Sequence, residues 1–414
     1  MEHKVVELDS IIIDIAAGPF GSNLKVESFV PFGFPIIDGA NLKGYKVTDN
    51  VTKFVTEEKA RSLSRSIAKR GDVVVTISGT LGQIAYIPEN SQYEEYLCSQ
   101  RQFRVSFDTS KVYVPYLVYY FHTYEGQNKI LAFANQTGVP ALSQPLKNFR
   151  KIQIILPSIE EQKRIISVIE SLSEKIEQNE KINNNLLEQV SCMCTEWLEH
   201  DDTLEGWSEF TLSDIAEFVG GYSYKSSELV ESNIAMATIK NFNRNSGFKL
   251  DGYKELQPSA KIKSTQYADL FDILVAHTDL TQNAEVVGNA ELIMSKGNYD
   301  KLVFSMDLVK VIPKTNAFSN FLLAAILQSK RFKAHCLGYI NGTTVLHLSK
   351  KALPEYKVLL PNDLQTLKSL DEVITALYQH ISANISENLK LENLRNSILP
   401  RLMSGNIDVS SVEI

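Results

Sequence analysis

The apolar positions of this chain fall into two kinds of run, and the same succession of runs occurs twice. Ile152-Gln153-Ile154-Ile155-Leu156-Pro157 reads as a short strand, followed by a long stretch with apolar residues at alternating spacings of four and three. Tyr356-Lys357-Val358-Leu359-Leu360-Pro361 opens the second copy, about 204 residues later. Solenoid repeats have periods of roughly 20–50 residues, so each of these units is large enough to hold a globular domain and a helix.

The spacing predicts a helical seam of Ile165, Ile169, Leu172, Ile176, Asn179, Asn183, Leu186, Val190, Met193 and Trp197. A second seam runs through Leu367, Leu370, Ile374, Leu377, Ile381, Asn384, Asn388, Leu391, Arg395, Ile398 and Leu402. Such spacing sustained over four heptads indicates coiled-coil packing. Both seams carry two Asn residues near their centres. If the helices pair antiparallel, the four amides meet and fix register; alternatively Ile182, Ile385 and Leu389 take the seam and the Asn residues face water. A helix of about 40 residues is roughly 60 Å long, against about 34 Å for a turn of B-DNA, a length suited to a ruler between two sites.

Within each globular segment the strand signals also repeat. Leu8 to Ile15 leads to Gly18-Pro19-Phe20-Gly21-Ser22, and Trp207 to Val219 leads to Gly220-Gly221-Tyr222-Ser223-Tyr224. Short strands at Pro35 to Leu42 and Ala235 to Phe242 both end in Asn plus an apolar residue. Gly71 to Ile77 and Phe271 to Ala276, rich in β-branched residues, read as buried strands. A late helix is expected over Pro115 to Phe133 and over Asn320 to Leu337. The frame repeats while the loops differ: Ser78-Gly79-Thr80-Leu81-Gly82 faces His277-Thr278-Asp279-Leu280, and Gln136-Thr137-Gly138 faces Asn341-Gly342-Thr343. Unlike loops on like frames suggest two recognition sites of different specificity, or drift after duplication.

Composition places the 414 residues, 44% hydrophobic and 22% charged, among ordinary globular proteins with two or three cores. No window approaches 18 apolar residues and the N-terminus lacks the pattern of a secretory signal, so a cytoplasmic location is expected. Cys98, Cys192, Cys194 and Cys336 are too scattered for a disulfide framework or a structural zinc site. The net charge of -7 is uneven: residues 1–157 carry +2, 158–200 carry -5, 201–361 carry -1 and 362–414 carry -3. Helices this acidic are poor candidates for a DNA surface, and the near-neutral globular segments hold most of the basic residues.

Nucleotide-binding glycine loops, zinc-protease and serine-hydrolase motifs are missing, as is the Pro-Pro of an amino-methyltransferase base-binding loop. Glu161-Gln162-Lys163 has the look of a nuclease tail but falls at a helix start, where Glu suits the dipole. The pattern is that of a binder.

The residues now carry a resemblance. Gly18-Pro19-Phe20-Gly21-Ser22, Gly71-Asp72 before Ser78-Gly79-Thr80-Leu81-Gly82, Leu156-Pro157-Ser158-Ile159-Glu160-Glu161-Gln162-Lys163-Arg164-Ile165 and Ser397-Ile398-Leu399-Pro400-Arg401-Leu402-Met403-Ser404-Gly405-Asn406-Ile407, in this order, resemble the DNA-specificity subunit of Type I restriction-modification systems. The resemblance implies an α+β chain. Two α/β target-recognition domains (1–157 and 201–361) would be related by pseudo-twofold symmetry and separated by two long antiparallel coiled-coil helices (158–200 and 362–414). It implies a non-catalytic subunit that reads a split DNA target in double-stranded DNA and recruits two methyltransferase (modification) subunits and restriction subunits. S-adenosylmethionine, ATP and Mg²⁺ would belong to those partners, none to this chain. The second half departs from the pattern at Phe271, at His277-Thr278-Asp279 and at Asn362-Asp363-Leu364-Gln365, which puts its loop geometry in question. Competing classes are a stand-alone DNA-processing enzyme such as a nuclease and a coiled-coil interaction scaffold without a DNA role.

Base edges are read by Arg, Asn and Gln, and phosphates by Lys, Arg and small polar residues. The candidates in the first domain are Ser22, Asn23, Lys25, Asn41, Lys43, Thr80, Gln100, Arg101, Gln136 and Thr137. In the second they are Tyr222, Tyr224, Lys225, Lys240, Asn241, Asn243, Arg244, His277, Thr278, Asn341 and Thr343. Lys59, Arg61, Arg65, Lys69 and Arg70 form a basic run suited to phosphates or to an exposed helix face.

Overall fold

The structure, a computed structural model, describes residues 4–135, 139–198, 205–244, 247–259, 262–314 and 319–409. The chain divides into two compact units, one of residues 1–174 with 393–414 and one of residues 175–392.

In the first unit an antiparallel sheet runs in the order Ile12–Ala17, Gln102–Phe107, Val73–Thr76, Ile84–Tyr86. In the second the order is Ala216–Gly220, Leu308–Pro313, Ile273–Ala276, Ala290–Leu292. Each unit adds another sheet built on a parallel pair, Phe34–Ile37 with Glu95–Cys98 and Ile234–Ala237 with Lys301–Phe304. A terminal ribbon closes each domain: Lys4–Glu7 on Gln153–Leu156, and Trp207–Thr211 on Lys357–Pro361. The duplication thus holds strand by strand. Among the described residues the first domain adds Phe29–Val30 on Phe54–Val55, and the second adds Thr278–Asp279 on Leu346–Leu348.

Val73 to Thr76 and Ile273 to Ala276 are buried at every position because both faces of their sheet are covered. Successive strand residues point to opposite faces. Val73 and Val75 enter the core under the helices, while Val74 joins Ala85 and Ile37 on the other side. Ile273 and Val275 divide from Leu274 and Ala276 in the same way. An uninterrupted apolar run is the sequence form of a strand covered on both sides.

Three local expectations are corrected or refined. The late helix is two helices in each copy, Val114–Phe121 and Tyr124–Leu131, then Asn320–Leu327 and Lys330–Leu337. Thr123 and Ser329 end the first helix by capping the second, accepting from Gly126 N and Phe332 N at 3.2 Å each. At the Gly71 position the two copies share one backbone conformation: Gly71 has φ +83° and Phe271 φ +69°. The left-handed region is costly for an aromatic residue, and Phe271 offsets that cost by packing its ring 4.8 Å from Phe321. Glu161-Gln162-Lys163 is structural. Gln162 is fully buried, accepts from Tyr113 N at 2.8 Å and donates to Pro157 O at 2.8 Å, tying the helix start to the domain. In the second unit Asp371 does the matching work by accepting from Ser319 N at 2.8 Å.

The central helix, Ile159–Leu198, and the C-terminal helix, Lys368–Met403, follow the two ribbons. In the first unit Ile165, Ile166 and Ile169 share a core with Leu399, Leu402 and Met403. Gly405, at φ +73°, ends the C-terminal helix in the left-handed turn that Gly permits. In the second unit Val190, Cys194, Ile374, Tyr378 and Ile381 pack into the domain core. There the helices run antiparallel, and the four seam Asn residues are buried. Asn179 donates to Asn388 Oδ1 and Asn384 donates to Asn183 Oδ1, both at 2.8 Å. Asn179 stands in the repeat where Asn384 does, and Asn183 where Asn388 does, so exchanging the copies turns one hydrogen bond's partners into the other's. That is the local signature of an isologous contact. The water-facing alternative falls: Ile182 is the exposed residue.

Replacing Asn183 or Asn384 singly by Leu strands the partner amide, and a loss of about 1–3 kcal/mol is expected in urea unfolding. The double Leu variant should recover most of it, giving coupling of at least about 1 kcal/mol. Additive losses would show that the amides do not act as a pair.

Candidate nucleic-acid interface

In the first domain an open cleft of about 570 Å³ gathers Thr80, Gln100 and Arg101 with Asp38, Lys53 and Gln83. Three segments meet there. The 78–82 loop is held on one side by Gly79 N donating to Pro140 O at 3.0 Å, and on the other by Gln127 Nε2 donating to Gly82 O at 2.9 Å. Gln100 Nε2 donates to Leu24 O at 2.6 Å and Gly21 O at 3.3 Å, fixing the loop that exposes Ser22, Asn23 and Lys25. Arg101 and Lys43 are exposed and form no ion pair among the described residues. Gln136 and Thr137 lie outside the described residues.

In the second domain the matching loop belongs to a small sheet, with Thr278 opposite His347 and His347 opposite Asn341. Gln282 donates to Thr343 O, so the two variable loops lie together. Asp279, buried, accepts from Thr281 N at 2.8 Å, Val286 N at 2.6 Å and Val287 N at 3.2 Å. Lys333, at the helix position matching Gln127, donates to Ala284 O, Glu285 O, Val287 O and Asn289 Oδ1 at 2.6–3.2 Å. One helix position thus holds the variable loop in both copies, by an amide in one and an ammonium in the other. Burial lowers the pKa of Lys333.

Several candidates are spent on the frame. Asn41 is buried: its Oδ1 accepts from Asp38 N at 3.1 Å and its Nδ2 donates to Thr48 O and Asn50 O. Asn241 repeats this with Thr238 N and Lys249 O. Their amides stabilise a turn and are not placed for a base edge. Tyr222 is buried and donates to Glu228 at 2.9 Å. Lys225 N and Ser259 also donate to Glu228, and these hydrogen bonds, Ser259's first, pull its carboxyl down to about 2. Thr278 is buried. Tyr224 lies half-buried under the Lys254 ammonium, 5.8 Å from its ring centre. Arg244 pairs with Glu285 at 3.1 Å, whereas Lys225, Lys240, Asn243, Asn341 and Thr343 are exposed. His277 is half-buried, and burial first, then the charge of Lys350, pushes its imidazole down to about 4. In the basic run, Arg61 pairs with Glu57 and Glu95, Lys69 with Glu95 and Arg70 with Glu94, while Arg65 is exposed and has no ion pair among the described residues. Among the described residues no helix is long and apolar enough to cross a membrane.

Like frames carrying unlike polar turns, each followed by a long helix, define a duplicated recognition protein. The sequence profile of the Type I restriction modification DNA specificity domain matches residues 32–188 and again 204–391, and the chain belongs to this family. It is a DNA-recognition subunit. The MjaIX specificity subunit of Methanocaldococcus jannaschii is 20% identical over 96% of this chain and 92% of its own length. The MjaVIII specificity subunit of the same organism is 23% identical over 67% of this chain and 66% of its own length. The fold is similar to that of the Type I S subunit from M. genitalium, with TM-score 0.55, 16% identity and coverage of 97% of this chain and 96% of that one.

Lys333→Met should leave four acceptors without their donor, destabilise the second domain by about 2 kcal/mol and speed amide exchange across residues 280–289; unchanged exchange would show that the ammonium does not hold the loop. A depressed His pKa means that the unfolded chain takes up a proton between pH 6.5 and about 4 while the folded chain does not. Stability should therefore fall as pH drops through that window. His277→Gln should flatten the fall in thermal unfolding measured from pH 7 to 4.5, and an unaltered profile would remove His277 as its cause.

Proposed function

We propose that each domain reads one half of a bipartite target in double-stranded DNA, and that the chain is the non-catalytic specificity subunit of a Type I complex. The observation that carries this reading is the pair of frames with one strand order and chemically different turns. A frame that does not vary positions the domain on the duplex, while side chains on its turns discriminate bases. The acidic central and C-terminal helices suit protein partners better than phosphates. On this reading two methyltransferase subunits dock on the helices, restriction subunits join them, and S-adenosylmethionine, ATP and Mg²⁺ are bound by those partners. The complex works in the cytoplasm, where its DNA is.

Exchange of residues 1–157 for the corresponding domain of another family member, with the modification subunits present, should change one half of the methylated sequence and leave the other intact. Unchanged specificity, or loss of both halves together in a folded complex, would contradict a division of the target between the domains.

A further inference from the structure

One turn shares four backbone hydrogen bonds between the two domains and is opposite in chemistry. It follows the parallel strand of each second sheet: Ser99-Gln100-Arg101-Gln102 in the first domain and Ser305-Met306-Asp307-Leu308 in the second. Four hydrogen bonds pin it in both. Gln102 N donates to Ser99 O at 3.2 Å, and Leu308 N to Ser305 O at 2.9 Å. Ser99 N donates to Ile37 O and Ser305 N to Ala237 O, both at 2.9 Å. Ile77 N donates to Arg101 O at 2.6 Å and His277 N to Asp307 O at 2.8 Å. Gly18 N donates to Gln102 O at 2.8 Å and Gly221 N to Leu308 O at 3.3 Å.

The close approach of those glycines belongs to the frame as well. A Cβ on Gly18 would stand 1.8 Å from Ser99 O, and one on Gly221 2.0 Å from Ser305 O. With the backbone held alike, the side chains differ at three of the four positions; Gln102 and Leu308 are buried, so the differences that face outward are at the two middle positions. Gln100 is tied back to Gly21 O and Leu24 O, and Met306, at the same place, is 59% exposed. Arg101 is exposed and Asp307 half-buried, and neither has an ion-pair partner among the described residues. A guanidinium and a carboxylate at one frame position cannot serve the same base edge, because one only donates and the other only accepts. Nor can Asp307 contact phosphate.

We propose that this turn determines specificity in each domain. Arg101 donates to the N7 and O6 acceptors of a guanine in the first half-site, and Asp307 accepts from an exocyclic amine, cytosine N4 or adenine N6, in the second. The assignment rests on the reading that both domains contact DNA.

The test is selection of bound duplexes from a randomised pool by the full chain with its modification subunits, for the wild type and for R101K, R101A and D307N. R101A is expected to lose preference for one guanine in one half-site by about 10- to 100-fold. R101K, which keeps the charge but not the fork, should lose that preference with little loss of overall affinity. D307N should change the base selected at one position of the other half-site, and the wild-type base there distinguishes cytosine from adenine. Two results overturn the inference: a uniform loss for R101A with a shallower salt dependence, which makes Arg101 a phosphate contact, or a D307N that binds all sequences more tightly with unchanged preference. A wild-type complex that selects no sequence would instead overturn the reading beneath it.

Discussion

A strand covered on both faces has no side chain left to offer a ligand. Val73 to Thr76 and Ile273 to Ala276 are in this position, and the rest of each domain is organised around them. Their sheet has one core towards the paired helices and another towards the second sheet. Burial of such strands stabilises the frame by roughly 1.5–3 kcal/mol per large aliphatic side chain and leaves recognition to the turns where strands end. The frame therefore repeats with little latitude, and the turns can change without disturbing it.

The same division accounts for the placement of charge. Many cations of the globular segments already have partners: Lys53 with Asp38, Arg61 with Glu57 and Glu95, Arg104 with Asp14. The exposed pairs of Arg61 add little stability, yet all of these pairs remove cations from the supply available to phosphates. Arg101, Lys25 and Lys43 on loops are the sort that remain. A near-neutral domain can thus present a small basic surface without a basic composition.

Much of the fold was legible in the sequence because its signals are periodic. The strand-then-helix repeat, the doubly buried strands and the heptad seams all follow from spacing, and the seam Asn residues stood out as polar residues on an apolar stripe. Helix breaks at Thr123 and Ser329 were missed, since an amphipathic pattern can run on through a capping residue. The candidate interface was less legible. Asn41 and Asn241 were chosen by residue type, although their presence at matching places in both copies is itself the mark of a frame residue. Met306 and Asp307 were overlooked for the complementary reason: an apolar and an acidic side chain do not suggest DNA until their backbone is seen to coincide with that of Gln100 and Arg101. The repeat contains the signal, but reading it requires knowing which backbone positions coincide.

The central claim is that one frame, used twice, presents two different readers. Sequencing the adenines or cytosines methylated in DNA exposed to the complete complex, and aligning the sequences around them, tests it most directly. The account predicts two short, dissimilar blocks of defined sequence separated by a spacer of fixed length and no preferred sequence. A single contiguous motif, or two blocks that are the same sequence on opposite strands, would contradict it.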